Sequence, residues 1–319
     1  MLLWKKQELS IKITKMKSQE LITQLFTKIH ATENIGEKAS YIPELVKVSS
    51  ENFGVHFSTI NSEQFGIGNY QVPFSIQSIS KVFSLTLAYK LLGENLWTRL
   101  GVEPSGTGFN SLVQLENDKG IPRNPFINAG AIVISDILLS HLKNPKEDLL
   151  AFIRSLSSNK NIHYSAKIAA SEKSVGYRNV ALCNFIKSFG NIENEPEKVL
   201  DFYFDICSLE ATCEQLSELF SFLANNGNTI HDDTQIITKS QSKRINALLQ
   251  TCGFYDESGE FAFKVGLAGK SGVGGGIVAI YPNQYVITVW SPKLNAKGNS
   301  YRGMRFLEAF TTATQQSIF

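Results

Sequence analysis

The sequence has few of the features that mark secreted, membrane-spanning or nucleic-acid-binding proteins. Only four of its 319 residues are cysteines, at positions 183, 207, 213 and 252, and none forms a C-x-x-C pair. Because no Cys/His cluster has the spacing of zinc ligands, we expect reduced, mostly buried thiols and no metal site. No apolar run approaches the ~18–20 residues needed to span a bilayer. The formal net charge is +2, so no strong field favours nucleic acid or a membrane surface as a partner.

The composition is otherwise that of a globular protein, with 43% hydrophobic and 19% charged residues. The first 15 residues are basic, with four lysines and one glutamate, and their apolar run is too short for a signal peptide. We therefore expect a cytoplasmic protein with a single domain over residues 18–319. Residues 1–17 are expected to be an N-terminal extension, either disordered or an artefact of start-site assignment, with Met16 as the true start.

Predicted strands and helices follow one another in three blocks. Residues 51–74 alternate in polarity and contain turn signals, which predicts strands. Roughly 78–250 has helical periodicity, including one long helix that begins near 199 and is stopped by Asn225-Asn226-Gly227. Strands return over 261–291, with connections so short that they favour antiparallel hairpins, and a last helix is predicted over roughly 301–316. We therefore predict an α+β fold in which both chain ends share one antiparallel sheet and a helical lobe is inserted between them.

The motif Ser78-Ile79-Ser80-Lys81 stands at the predicted start of a helix. Residues three apart share a helix face, so Lys81 can reach the Ser78 hydroxyl. The free N–H groups at a helix start add positive potential. A lysine that burial keeps neutral can accept a serine proton, which makes Ser78 a candidate nucleophile and Lys81 its base. By itself the motif is weak, because a surface lysine near a capping serine gives the same pattern.

A second motif, Lys270-Ser271-Gly272, lies between two predicted strands in the string "GKSGVGGG". It has the K-[ST]-G form of the penicillin-recognising serine enzymes, in which a strand edge offers a backbone N–H to an oxyanion. Lys270 could also keep Lys81 neutral through like-charge repulsion. A plain glycine-rich turn is the alternative; a nucleotide site is disfavoured, because no P-loop pattern or βαβ unit is present. The S-x-N or Y-x-N element of these enzymes is ambiguous between 157–159 and 177–179.

Longer strings connect the two motifs to a known family. They include "YIPEL", "VPFSIQSISKVFSL", "EPSGTGFNSL", "PRNPFINAGAI", "LDFYFDICSLEATCEQLS" and "SPKLNAKGNSYRG". From about Ser18 to Ile318, the chain resembles the serine-dependent glutaminases, the bacterial type related to the kidney-type animal enzymes. The resemblance implies a β-lactamase/transpeptidase-like fold and an amidohydrolase that converts L-glutamine to L-glutamate and ammonia. It also implies no cofactor, no metal and a homo-oligomer, either dimer or tetramer.

The resemblance further implies which residues form the site. Its catalytic positions are Ser78, Lys81, Tyr255 and Tyr41, and its substrate-binding positions are Ser78, Asn128, Glu172, Asn179, Tyr203, Tyr255 and Val273. The side-chain chemistry agrees. Glu172 can pair with the α-ammonium of glutamine, and amide or tyrosine groups can donate to its α-carboxylate. The backbone N–H groups of Ser78 and Val273 suit an oxyanion hole, and Tyr255 suits proton transfer to the leaving ammonia.

Two other functions stay open at this point. One is a different serine amidase or β-lactam hydrolase of the same fold; the other is a non-enzymatic binding module that has kept the pocket. Three of the site residues also have structural explanations that the residues alone would favour. Asn128 could cap a helix, Tyr203 could pack in the core, and Glu172 could be a solvated loop charge.

Overall fold

The computed structural model describes residues 18–105 and 112–319. The predicted extension 1–17 and the "GTGFNS" part of "EPSGTGFNSL" lie outside the described residues. The strands are β1 (Gly54–Thr59), β2 (Gln64–Gly68), β3 (Phe74–Ser75), β4 (His163–Tyr164), β5 (Leu209–Ala211), β6 (Ala268–Ser271), β7 (Gly276–Tyr281) and β8 (Tyr285–Trp290). The helices are α1 (18–30), α2 (Pro43–Val46), α3 (Lys81–Leu92), α4 (Leu112–Asn117), α5 (Asn128–His141), α6 (Pro145–Ser155), α7 (Ala166–Val175), α8 (Tyr177–Ser188), α9 (Pro196–Cys207), α10 (Cys213–Leu219), α11 (Ser221–Ala224), α12 (Lys239–Cys252), α13 (Ser258–Lys264) and α14 (Tyr301–Thr314).

The main sheet has five antiparallel strands in the order β2-β1-β8-β7-β6. It joins the two ends of the chain, as predicted, because β1 pairs with β8 along its whole length. Both faces are buried. Ile277 and Ala279 of β7 pack into one core with α1 and α14, whereas Val278 and Ile280 pack into the core of the helical lobe. Burial on both faces explains why β7, with the sequence GIVAIY, is apolar along its whole length.

The helical lobe is built around α3 and α5, which pack against each other. The predicted end of α3 is confirmed: Gly93 follows it with a φ of 54°, a left-handed conformation in which glycine has no Cβ to clash. All four cysteines are buried free thiols, as expected from the sequence. Among the described residues, no helix is both long and apolar enough to cross a membrane.

The prediction of one long helix from about 199 to 224 is wrong. Helix α9 ends at Cys207, and strand β5 then pairs with β3 and β4 in a separate three-stranded sheet. Helix α10 begins afresh at a capping box: the Thr212 side chain accepts a hydrogen bond from the Gln215 N–H, and the Gln215 side chain accepts one from the Thr212 N–H. A short strand with partners from distant parts of the chain therefore interrupts a locally helical pattern.

The predicted strand over 261–272 is wrong in its first half. Residues 261–264 belong to α13, and strand β6 begins only at Ala268. Gly266 lies between the two elements with a φ of 65°, a conformation that ends the helix and redirects the chain. The second half of the prediction is confirmed, since Lys270 and Ser271 lie on β6 and Gly272 follows it directly.

Candidate functional site

A cavity of about 420 Å³ lies between the helical lobe and the turn that joins β6 to β7. Eight of the nine residues predicted for the site line it: Tyr41, Ser78, Asn128, Glu172, Asn179, Tyr203, Tyr255 and Val273. The ninth, Lys81, is fully buried and contacts the lining residue Asn128. Residues that are distant in sequence, on α5, α7, α8 and α9, just before α2 and in three turns, are therefore brought together around one cavity.

Other residues that line the cavity were not predicted as site residues from the sequence, among them Gln77, Tyr177, Arg178 and Cys207. Gln77 directly precedes the candidate nucleophile, and Tyr177 and Arg178 directly precede Asn179. Cys207 stands four residues after Tyr203 on α9, so both side chains share a helix face. That spacing was readable in the sequence.

Ser78 lies on a short 3-10 turn, Gln77–Ser80, that connects β3 to α3. The turn begins with strained backbone, because Gln77 has a φ of 51°, which is uncommon for a residue with a Cβ. Two hydrogen bonds hold it. Gln77 Nε2 donates to Ser75 Oγ at 2.9 Å, and Ser80 Oγ donates to the Gln77 carbonyl at 2.7 Å. Non-glycine residues keep such conformations only where their surroundings over-determine them, and these residues cluster at functional sites.

The glycine-rich turn after β6 packs directly against the Ser78 turn. A Cβ on Gly272 would lie 2.4 Å from the Ile76 carbonyl oxygen, and a Cβ on Gly274 would lie 2.1 Å from that of Ser75. Both distances are too short for a side chain at either position. The glycines thus permit two backbones to approach each other, and Val273 is held between them at the cavity.

Ser78 and Val273 both line the cavity beside this contact. Backbone N–H groups next to a serine hydroxyl are the donors that typically stabilise a developing oxyanion, which makes those of Ser78 and Val273 the candidates for this role.

Lys81, the first residue of α3, is completely buried. Its Nζ donates to Asn128 Oδ1 at 2.8 Å and to the Phe126 carbonyl at 3.2 Å. Burial lowers its pKa to about 8, although the nearby Cys207 and Glu172 oppose the shift. A neutral amine that donates both protons to these acceptors keeps its lone pair for a third partner, and Ser78 is three residues earlier on the same turn. The geometry therefore suits a base rather than an ion-pair partner.

Asn128 and Asn179 extend the network that begins at Lys81. Asn128 Nδ2 donates to Asn179 Oδ1 at 3.0 Å, so one asparagine links the candidate base to the next polar residue of the cavity. Asn128 is the first residue of α5 and makes no capping hydrogen bond. Its side chain therefore serves the cavity, and the helix-capping explanation is wrong.

The side chains of Tyr255 and Ser78 are hydrogen-bonded to each other. Burial raises the pKa of Tyr255 to about 12, so the hydroxyl keeps its proton near neutral pH. Its φ of 57° is a second strained position beside the nucleophile. Lys270 Nζ lies 4.6 Å from the centre of the Tyr255 ring and donates to the carbonyls of Gly253 and Ser271.

Lys270 is fully buried beneath Tyr255 and does not line the cavity. Burial and the charge of Lys81 hold the pKa of Lys270 well below its usual range. For Lys81 itself, burial is the main cause of the low pKa. Lys81 is therefore kept neutral mainly by its own desolvation, and like-charge repulsion from Lys270 is not the main cause.

Glu172 lies on α7 with only 8% of its surface exposed, so it is not a solvated loop charge. Its Oε1 is buried and has no hydrogen-bond partner among the described residues. Burial raises its pKa to about 7, whereas a hydrogen bond with Gln77 and the charge of Lys81 act in the opposite direction. A buried carboxylate oxygen without a partner is costly, and a cationic group entering the cavity would satisfy it.

Two tyrosines complete the cavity at different depths. Tyr203 is buried, belongs to the core of the lobe and is hydrogen-bonded to Cys207, so it is both a packing residue and a lining residue. Tyr41, just before α2, is 55% exposed and lies where the cavity meets solvent. Within the described ranges, no group of three His, Cys, Asp or Glu side chains is arranged to hold a metal ion.

Known proteins that resemble this chain in sequence and in structure are glutaminases. The glutaminase family model matches residues 36–319. A glutaminase from Christiangramia forsetii is 55% identical over 95% of this chain and 100% of its own. A solved structure of a probable glutaminase has a TM-score of 0.89 at 29% identity and covers 95% of this chain and 98% of its own. The crystal structure of Mglu in its glutamate form has a TM-score of 0.87 at 27% identity, and the match covers 93% of this chain and 68% of the Mglu chain. The β-lactamase-like fold predicted from the sequence is confirmed by these neighbours.

Proposed function

The chain belongs to the glutaminase family, and we propose that it hydrolyses L-glutamine to L-glutamate and ammonia, with Ser78 as the nucleophile and Lys81 as its base. One observation carries the proposal. The Ser78 hydroxyl shares a cavity with a carboxylate oxygen of Glu172 that has no partner among the described residues, and Lys81, a buried lysine of lowered pKa, follows Ser78 by three residues. The Glu172 oxygen suits a substrate that carries an α-ammonium group as well as an amide. The buried lysine suits removal of the proton from serine.

In the acylation step, neutral Lys81 accepts the Ser78 proton while Oγ forms a bond to the side-chain amide carbon of glutamine. The amide oxygen takes up the negative charge between the N–H groups of Ser78 and Val273. The C–N bond then breaks, and the Tyr255 hydroxyl donates a proton to the leaving nitrogen, so that ammonia departs. Tyr255 recovers a proton from protonated Lys81. Water then attacks the acyl ester by the same proton transfers in reverse, which releases glutamate and restores Ser78.

Substrate recognition follows from charges and donors around the cavity. Glu172 accepts from the α-ammonium, while the Asn179 amide and the Tyr203 hydroxyl donate to the α-carboxylate. A penicillin nucleus has no α-ammonium and would leave Glu172 unpartnered, which disfavours β-lactam hydrolysis. A structural relative has been solved in a glutamate form, and glutamate carries the same α-amino acid group.

The test is ammonia release from glutamine and from asparagine, together with the colour change of a chromogenic cephalosporin on hydrolysis of its β-lactam ring. We expect turnover of glutamine alone and its loss in Ser78→Ala, on the scale of ~10⁶-fold for removal of a nucleophile. Ser84→Ala is a matched control, since Ser84 is buried on α3, the helix that follows the Ser78 turn, and its hydroxyl donates to the Lys81 carbonyl. Near-normal glutamine turnover by a folded Ser78→Ala variant would exclude Ser78 as the nucleophile. Release of product only from cephalosporin would favour the alternative function, and no turnover of any of the three would favour a binding module.

We further propose that the chain acts in the cytoplasm as a homo-oligomer, a dimer or tetramer, and that residues 18–319 form its one functional domain. The oligomer follows from the resemblance to the family, the location from the overall composition, and the single domain from the sheet that both chain ends share around the helical lobe. Light scattering of the purified chain measures the oligomeric state directly.

A further inference from the structure

Glu257 does not line the cavity but links the turn that carries Tyr255 to a second segment of the chain. It is only 4% exposed and ends the 3-10 turn Tyr255–Glu257. Asn295 Nδ2 donates to both of its carboxylate oxygens at 2.9 Å, and Asn299 Nδ2 donates to Oε2. Both asparagines belong to the loop between β8 and α14. A buried carboxylate therefore ties the turn that carries Tyr255 to a distant part of the chain.

The turn itself needs such an anchor, because Tyr255 adopts a φ of 57°. A left-handed conformation at a bulky residue is strained and persists only where other contacts enforce it. Local bonds close the turn: the Glu257 N–H donates to the Phe254 carbonyl at 2.9 Å, and Ser258 Oγ donates to the Tyr255 carbonyl at 3.1 Å. Local bonds fix the shape of the turn but not its place relative to Ser78. The Asn295 and Asn299 contacts contribute to that placement, beside the hydrogen bond from Lys270 Nζ to the Gly253 carbonyl.

We propose that Glu257 is a positioning residue that holds the Tyr255 hydroxyl at Ser78, an inference that rests on the proposed function. The partners explain why a carboxylate is required. Asn295 and Asn299 both present N–H donors, and a carboxylate offers acceptors on both oxygens. A glutamine at 257 would turn an NH₂ group toward one of these donors, and the turn would shift to relieve the contact. A displacement of about 1 Å at a proton donor can cost up to ~10²-fold in rate.

The experiment is a double-mutant cycle between Glu257→Gln and Tyr255→Phe, read as kcat and KM for glutamine. We expect Glu257→Gln to lower kcat by about tenfold or more while KM changes less than about threefold. In the Tyr255→Phe background the same substitution should change kcat less than about twofold, because the hydroxyl that it positions is already absent. A merely structural role would lower the rate by the same factor in both backgrounds, and that result would overturn the proposal.

Two further variants keep the result decisive. Glu260→Gln is the matched control, since Glu260 is a half-exposed carboxylate on α13 that pairs with Lys264; its kcat should not change. If Glu257→Gln does not fold, Asn295→Asp repeats the test from the other side. It keeps the Oδ1 that accepts from the Lys297 and Asn299 N–H groups but places a second carboxylate against Glu257.

The failure of this inference is distinguishable from failure of the proposed function. Unchanged kcat in folded Glu257→Gln or Asn295→Asp, with Ser78→Ala inactive and Tyr255→Phe impaired, overturns the role of Glu257 alone. An active Ser78→Ala variant would instead overturn the proposed function, and with it the premise of the inference.

Discussion

Lys81 and Glu172 are both buried beside the cavity, and burial moves their pKa values toward each other, to about 8 and about 7. Each charged form loses hydration that the protein replaces only in part, so the neutral forms gain relative to water. The base can therefore lose its proton near neutral pH. The carboxylate becomes fully charged only slightly above neutrality, or when a cation binds beside it.

The pH dependence of kcat/KM follows from these two groups. Lys81 must be neutral to accept the Ser78 proton, so kcat/KM should fall about tenfold per pH unit below about 8. Below about 7, protonation of Glu172 also weakens ammonium binding, and the slope should steepen toward two. Initial rates from pH 5.5 to 9.5 measure the profile. A flat profile from pH 6 to 9 would contradict the assignment of Lys81 as the base.

Removal of the Glu172 charge should weaken binding of one substrate group only. Glu172→Gln leaves the size of the side chain unchanged and deletes a charge-assisted contact worth roughly 1.5–3 kcal/mol, which is about 10–100-fold in KM for glutamine. A glutamine analogue in which hydrogen replaces the α-amine should show little change between the two proteins. Steady-state kinetics on both substrates test this, and equal losses on both would remove Glu172 from the role.

Single residues of the site differ in how well the sequence predicts them. Ser78 and Lys81 are candidates from their spacing at a helix start, although that motif is weak without the resemblance. Asn128 and Glu172 follow only from the resemblance, because their positions depend on how α5 and α7 pack around the cavity. No local pattern marks a carboxylate that becomes buried through the packing of distant helices.

At the scale of elements, the contact between the Ser78 turn and the glycine-rich turn after β6 determines the shape of the cavity. Gly274→Ala would place a Cβ 2.1 Å from the Ser75 carbonyl oxygen and force the two turns apart. We expect a loss of about 1–3 kcal/mol in the free energy of unfolding, together with a fall in kcat because Val273 moves away from Ser78.

Denaturant unfolding and glutamine kinetics on the same protein measure both effects. Gly259→Ala is the control, since no atom lies within 4 Å of its added Cβ and its backbone φ is not left-handed. A Gly274→Ala variant with normal stability and rate would show that the two turns need not touch.

The sequence predicts a helix or strand correctly where one local pattern is strong. Helix α3 is apolar and ends at a glycine, and the strands at the chain ends are β-branched and joined by short turns. The long helix predicted from about 199 failed because β5 has only three residues, and its partners β3 and β4 lie far away in sequence. One signal was nevertheless readable: Thr212 and Gln215 form the T-x-x-Q pattern of a capping box.

At the scale of the whole molecule, the sheet is covered on both faces, and His56 is a titratable group buried within that packing. His56 on β1 is 2% exposed, stacks on Tyr70 and has a buried Nδ1 without a hydrogen-bond partner among the described residues. Burial lowers its pKa to about 4, although Glu218 opposes the shift. The folded protein therefore holds this imidazole neutral, whereas the unfolded chain protonates it near pH 6.5.

The sign of the resulting effect on stability is fixed by linkage. Between pH 6.5 and 4 the unfolded chain binds a proton at His56 that the folded protein does not, so the free energy of unfolding falls as pH falls. Between pH 7.5 and 4.5 this group should contribute a loss on the order of 2–3 kcal/mol. Urea unfolding of the protein and of His56→Phe at both pH values isolates the contribution. If both proteins lose the same stability between the two pH values, His56 is not the group responsible.

Covalent labelling of the purified chain by a diazo-ketone analogue of glutamine tests the central claim, that Ser78 is the nucleophile of a glutamine-binding cavity, most directly. The cavity offers two candidate nucleophiles, because Cys207 lines it together with Ser78. Burial raises the pKa of the Cys207 thiol to about 12, so its reactive thiolate is scarce, whereas Lys81 can activate Ser78. Peptide mass spectrometry should find the adduct on Ser78, lost in Ser78→Ala and suppressed by excess glutamate. An adduct on Cys207 that persists in Ser78→Ala would contradict the account.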